Sequence, residues 1–413
     1  MTAVAARPAA APTRTRTRAW VPVFAVMFLC TWAGNQFSPL LLLYQQRQHY
    51  STAAVNGFLG VYVLGLVPAF LLSGALSDRF GRRPVMAAGA AAALATSATL
   101  TFGEAGPWVI CLGRFLAGVA VGTATCVGTS WLKELSQAPF DLGADAGTGA
   151  RRAALAFSLG SAAGAVVAGL IAQWGPWPEG LPFLIHVVLA APLLWLVPRA
   201  PETVTTGGVS GPLRGRLRVP AAGHRRFTRV VVVAAPWTFA AAGLGYGYLP
   251  VLLAGVTGGL GIAYATLLTA VALAAAALVQ PWAKRLDAVD SARGLLTGVA
   301  VVVAATVLVA VAVHWQSWPL GIVAATVSGA GMGVAMVSGV LEVQRIAGPA
   351  GLAGLTGVFY AVAYGGFLAP TVLSFVAGRT GVAVPALLLG LAGVGVVCGL
   401  LLMRSYRRHL PSR

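Results

Sequence analysis

Charge is scarce in this 413-residue chain: 9% of residues are charged and 58% are hydrophobic, against about 25% charged in an ordinary soluble domain. Acid is scarcer still, with 10 Asp+Glu facing 28 Lys+Arg, and lysine is nearly missing, found only at Lys133 and Lys284. These shortages exclude a soluble globular domain. The four cysteines, Cys30, Cys111, Cys126 and Cys398, fall in apolar runs without CxxC spacing, which leaves small apolar side chains and no metal site. No HExxH, GxSxG or GxxxxGK[ST] is present, so nothing points to an enzyme and no cofactor is expected. A net charge of +18 would suggest nucleic acid in a soluble chain. Here the basic residues are scattered between apolar spans with no nucleic-acid module around them, so that partner is excluded.

What remains is apolar length. A bilayer-crossing helix needs about 20 apolar residues, and such runs occur at about 20–43, 53–75, 84–103, 107–132, 153–174 and 181–197. Six more follow at about 229–255, 259–281, 294–314, 318–341, 353–376 and 382–403. The expected fold is an all-α membrane protein of twelve transmembrane helices. Its expected parts are a disordered tail 1–18, a first half 19–197, an Arg- and Gly-rich connector 198–228, a second half 229–403 and a tail 404–413. Alternate loops then collect 25 of the 28 basic residues on one side; Arg47 and Arg379 fall on the other and Arg114 lies within a span. Because inner loops are enriched in Lys and Arg, both termini are expected in the cytoplasm and the chain in the cell membrane.

Between spans two and three runs Gly74-Ala-Leu-Ser-Asp78-Arg79-Phe-Gly81-Arg82-Arg83. Glycine turns such a hairpin tightly, and Asp78 with three arginines can pair with neighbouring helix ends. The run resembles the GxLxDRxGRR signature of the major facilitator superfamily. Glu134, just after span four, matches the position where that family places an acid facing these arginines, so the seven residues Gly74, Asp78, Arg79, Gly81, Arg82, Arg83 and Glu134 are implied as a conformational switch. Arg114, Gly118 and Gly122 in span four are similar to the family's RxxxGxxxG pattern, and small residues at that spacing let helices approach closely. Gly160, Gly164 and Gly169 in span five look like a degraded pattern from its bacterial drug/proton antiporter branch, with Ala165 where the pattern has proline. Pro201-Glu202-Thr203 is a weaker family feature. The corresponding loop of the second half, Gln280 to Asp287, keeps Lys284-Arg285 and loses the glycine.

The resemblance implies two six-helix halves around a central cavity, and secondary transport of a small molecule by alternating access as a single chain. Counting 1.5 Å per residue, Asn35, Gln36, Arg114, His186, Tyr246 and Tyr248 come out in the half of the membrane away from the basic loops, where they are expected to form one polar layer. A charge at the depth of Arg114, roughly 10 Å, is costly and points to function. Tyr360 and Tyr364 share a face at i,i+4, with Trp237 at comparable depth, although aromatics and methionines such as Met332 more often pack than bind. No carboxylate lies mid-membrane, so a neutral or anionic cargo is more natural than a cation. Protons as coupling ion would involve Asp78, His186 or Glu342, with a hydrogen-bonded structural role the plainer reading of His186. Efflux is the first reading. An uptake permease or uniporter is the alternative, and a non-transporting receptor or scaffold the competitor.

Overall fold

A computed structural model describes residues 18–144, 148–204, 219–286, 288, 290–347, 352–405 and 407–408. The tail through residue 17, positions 205–218 of the connector, Asp287, and the end of the C-terminal tail lie outside the described residues. Six helices build the first half: α1 (Val21–Arg47), α2 (Thr52–Phe80), α3 (Arg82–Leu100), α4 (Pro107–Leu135), α5 (Thr148–Trp174) and α6 (Leu181–Arg199). Six build the second: α7 (Phe227–Leu252), α8 (Ala254–Arg285), α9 (Arg293–His314), α10 (Trp318–Ile346), α11 (Gly354–Thr380) and α12 (Val384–Ser405). Eleven of them combine span length with high hydropathy. The twelfth, α3, has 19 residues but draws them largely from Ala, Gly, Ser and Thr. It needs less apolar bulk because it is wedged between α4 and α6, where a Cβ on Gly89 would come within 3.0 Å of Thr123.

Burial separates central from peripheral helices. The most apolar window of α1 is 89% buried and that of α7 83%, whereas α6 and α12 reach 33% and 22%. Outward faces carry large bare side chains such as Trp108, Trp195 and Leu278, which only a lipid surround makes affordable. α1 is broken between Asn35 and Leu40. α7 carries a wide π-helical turn over Gly243–Tyr248, the kind of local unwinding that re-aims side chains at functional sites.

Glycine sets how closely helices approach within the halves. A Cβ on Gly118 would sit 2.1 Å from the Tyr62 carbonyl oxygen, and one on Gly122 2.7 Å from Ala69, so α4 is pressed onto α2. Gly160 and Gly164 bring α5 onto α1 at Phe28 and Trp32 in the same way. Gly169 does something different: it abuts Thr266 of α8, on the other half. The halves meet along α5 against α8 and α2 against α11.

Candidate functional site

The α2–α3 corner is built around Gly81, whose φ of +99° is a conformation that side chains with a Cβ rarely adopt. Just past it, the first backbone N–H groups of α3 have no partner within the helix. Glu202, arriving from beyond α6, supplies one: its carboxylate accepts from the N–H of Arg82 and of Arg83, each at 2.9 Å. Burial alone would raise the Glu202 carboxyl, but the N–H groups of Arg83, Arg82, Val204 and Thr203 outweigh it and hold the group below its ordinary value. Arg82 donates to Asp78 at 2.7 Å, to Ser77 at 2.6 Å and to both oxygens of Glu134 at 2.8 and 3.3 Å. Arg83 donates to the Ala200 carbonyl at 2.6 Å, and Thr203 donates to Glu134. Arg79 stays apart, exposed over the ring of Phe80. Gly74 lies beside Cys126 of α4. Arg82 thus ties the ends of α2, α3 and α4 together, and Glu202 adds the segment after α6.

A cavity of about 30 Å³ lies between the halves, lined on one side by Gly34, Asn35, Ser38, Arg114 and Ser161. That volume holds about two waters, so an organic solute enters only when the halves part. The break in α1 exposes the Gly34 carbonyl, which accepts from Arg114 at 3.1 Å, and Arg114 also donates to the Phe58 carbonyl at 3.3 Å. The rings of Phe37 and Tyr62 each lie 4.6 Å from the Arg114 guanidinium carbon, a favourable cation–π placement. The opposing wall is aromatic: Phe239 and Tyr246 of α7 with Tyr364 and Phe367 of α11, the Phe239 and Tyr364 rings stacked at 3.6 Å.

Toward the face away from the Arg82 corner, hydrogen bonds cross between the halves. There Gln173 of α5 donates to the Gly259 carbonyl at 2.8 Å and accepts from the Ala263 N–H at 2.9 Å. Asn56 of α2 donates to Ser374 of α11 at 2.9 Å, and Thr371 donates to the Asn56 carbonyl at 2.7 Å. Further along α2, Phe70 stacks on Tyr360 at 5.0 Å.

Residues 23–264, more than half of the chain, match the sequence profile of the Major Facilitator Superfamily. The chain belongs to this superfamily. A stretch of 109 residues is 35% identical to the uncharacterized MFS-type transporter YceJ of Bacillus subtilis (strain 168), covering 26% of this chain and 27% of that relative. Its fold is similar to that of the nucleoside transporter NupG, with a TM-score of 0.68 at 15% identity over 94% of this chain and 99% of the other. A POT family transporter in complex with a thioalcohol conjugated peptide gives 0.74 at 12% identity over 94% and 96%. The xylose transporter XylE from E. coli, in an inward open conformation, gives 0.67 at 14% over 93% and 95%.

Within this superfamily fold the expected single polar layer divides in two. Of its members, Asn35, Arg114 and Tyr246 reach the cavity, and so does Tyr364 from outside that layer. Gln36 and His186 turn away from it: Gln36 donates to Ser97 at 2.8 Å, Ser97 meets His186 Nδ1 at 2.8 Å, and His186 Nε2 meets the Leu29 carbonyl at 2.9 Å. A neutral imidazole completes that chain of bonds. Tyr248 lies beside Ser374, Trp237 against Gly395 of α12, and Tyr360 on Phe70. Met332 lines the cavity, as do Tyr62, Phe157, Phe239 and Phe367, which no motif or polar signal singles out. Among the described residues no cluster of three metal-ligating side chains occurs.

Proposed function

We propose that this protein is a secondary transporter that moves a small organic molecule by alternating access around the Arg114–Tyr364 cavity, in the direction of export. One observation carries the reading: a cavity lined from both halves, with hydrogen bonds that bridge the halves toward one face. When such halves rock about a fixed site, it opens alternately to each side. Residues 19–197 and 229–403 are the moving halves in this reading, 198–228 their tether, and 1–18 and 404–413 tails. The basic loops face the cytoplasm, which places both ends inside and the protein in the cell membrane, working as a single chain and not as an enzyme. Gly74, Asp78, Arg79, Gly81, Arg82, Arg83 and Glu134 form the switch, remade on each cycle at the cytoplasmic end. Export rests on the glycine run of α5, which resembles the antiporter branch.

The test is flux in proteoliposomes under an imposed pH gradient, with nucleosides, peptides, xylose and aromatic carboxylates offered in turn. Gradient-driven counterflow supports proton antiport. Equilibration indifferent to the gradient favours the uniporter alternative, gradient-driven accumulation in the opposite sense favours uptake, and no flux of any solute counts against transport. Asp78→Asn and Arg114→Ala are each expected to leave membrane insertion intact and lower flux about tenfold or more; wild-type flux in both removes these two from the machinery.

A further inference from the structure

The cavity contains one ionised side chain and no counter-charge. Arg114 is buried, and the other lining residues are neutral: small polar groups, aromatic rings, Leu273 and Met332. Among the described residues no carboxylate pairs with Arg114, whereas other buried guanidiniums in the molecule do have one, Arg226 on Glu342 and Arg82 on Asp78 and Glu134. A buried cation without its ion is costly, and the cost is relieved when an anion enters. The Gly34 and Phe58 carbonyls engage two of the five N–H donors of the guanidinium. Beside it, Ser161 accepts from Asn35 at 3.1 Å and keeps its own proton to donate, and Ser38 adds a second hydroxyl to the same wall. Across from this donor wall stand the rings of Phe239, Tyr246, Tyr364 and Phe367 with Leu273 and Met332, and no charged group.

We infer that, once the halves part, the cavity binds an organic monoanion with a planar apolar body, of the aromatic carboxylate class. The carboxylate lies against Arg114 with Ser161 and Ser38, and the body lies among the rings of Phe239, Tyr364 and Phe367. The inference rests on the transporter reading only in placing this cavity on a transport path. It also explains discrimination: the site repels an ammonium group, since no acid in it compensates a second positive charge.

Binding is measured on the purified full chain by quenching of tryptophan fluorescence and by thermal shift, using matched probes: benzoate, benzamide and benzylamine, then indole-3-acetate and cinnamate. Wild-type protein is expected to bind the carboxylates at least about tenfold more tightly than the amide, as a charge-assisted bidentate contact allows, and to show no amine binding. Arg114→Gln is expected to bring benzoate and benzamide within about twofold of each other, while Arg114→Lys keeps part of the preference and shows that the folded site survives substitution. Equal affinity for benzoate and benzamide in wild type, tighter binding of the amine, or no carboxylate bound at all overturns the inference. The two readings fail separately. Flux of a neutral solute together with equal wild-type affinity for benzoate and benzamide sinks the anion site and keeps the transporter; Arg114-dependent carboxylate binding without flux of that carboxylate does the reverse.

Discussion

At the face that carries the basic loops, the first half holds its helix ends with Arg82, shared between Asp78 and Glu134, both part-exposed, while Glu202 caps α3 from another segment. The second half holds its own with Arg226 at the start of α7 and Glu342 near the end of α10, both fully buried and joined by two bonds of 2.7 and 2.8 Å, with Arg345 alongside at 3.1 Å. Its α8–α9 loop lacks the left-handed glycine and is tied instead by Arg293, which donates to the Leu286 and Arg285 carbonyls. At the same face the two halves are thus held by ties of different burial. The first is a water-accessible set of exchangeable partners, suited to being broken and remade; the second is a dry clasp that keeps one half rigid.

The largest expected effect tests the clasp. Glu342→Gln takes the carboxylate from the buried Arg226 guanidinium and is expected to cost about 3–5 kcal/mol, against about 1–2 kcal/mol for Glu134→Gln, where Arg82 keeps Asp78 and Ser77. Thermal melting in detergent measures both, and equal losses would erase the contrast between the halves. Next in size is Gly81→Ala. Its Cβ would sit 2.7 Å from Glu202 Oε2 at φ +99°, and about 1–3 kcal/mol is expected, read by melting and by faster hydrogen exchange at the start of α3; an unchanged melt would show that the corner does not need glycine.

The smallest effect is a difference in pH response between two loops. Glu202 is held low, so its contribution is present at neutral pH and is lost as pH falls through its depressed value. Glu179, at the opposite face between α5 and α6, is raised chiefly by burial; the Gln48 hydrogen bond and Arg47 oppose this while Glu104 adds to it. Its ionised form is therefore a cost at neutral pH, relieved as pH falls through the raised value. Acidification toward the ordinary carboxylate range, about 4, is expected to weaken hydrogen-exchange protection at Arg82–Arg83 and strengthen it at 175–180. The same direction at both loops would contradict these assignments.

The helices were legible because a bilayer demands length and apolarity, and those are one-dimensional properties. The Arg82 corner was legible for a similar reason: Asp78, Gly81 and the arginines are neighbours in sequence. Direction around a helix axis was not. Residue count gives depth at 1.5 Å per step, but consecutive residues point about 100° apart. So Asn35 meets Ser161 of α5 while Gln36 meets Ser97 of α3, and Phe239 reaches the cavity while Trp237, two positions earlier, lies on α12. Glu202 was visible only as part of a short, weak motif, because its partners are main-chain N–H groups 120 and 119 positions away. The wide turn of α7 that carries Tyr246 left no mark in the apolar pattern beyond three closely spaced glycines, Gly243, Gly245 and Gly247.

The interruption of α1 makes it a jointed lever. Its first arm, Val21–Asn35, leans on α4 and α5 of its own half, while its second arm, Leu40–Arg47, touches α2 and α5 of that half and α8 of the other. The knuckle between the arms holds Gly34, Asn35 and Ser38, the very groups that face the cavity. If the halves rock as proposed, a flex at that joint would shift the second arm and these cavity-facing groups together, so that opening the door and loosening the cargo would be a single movement.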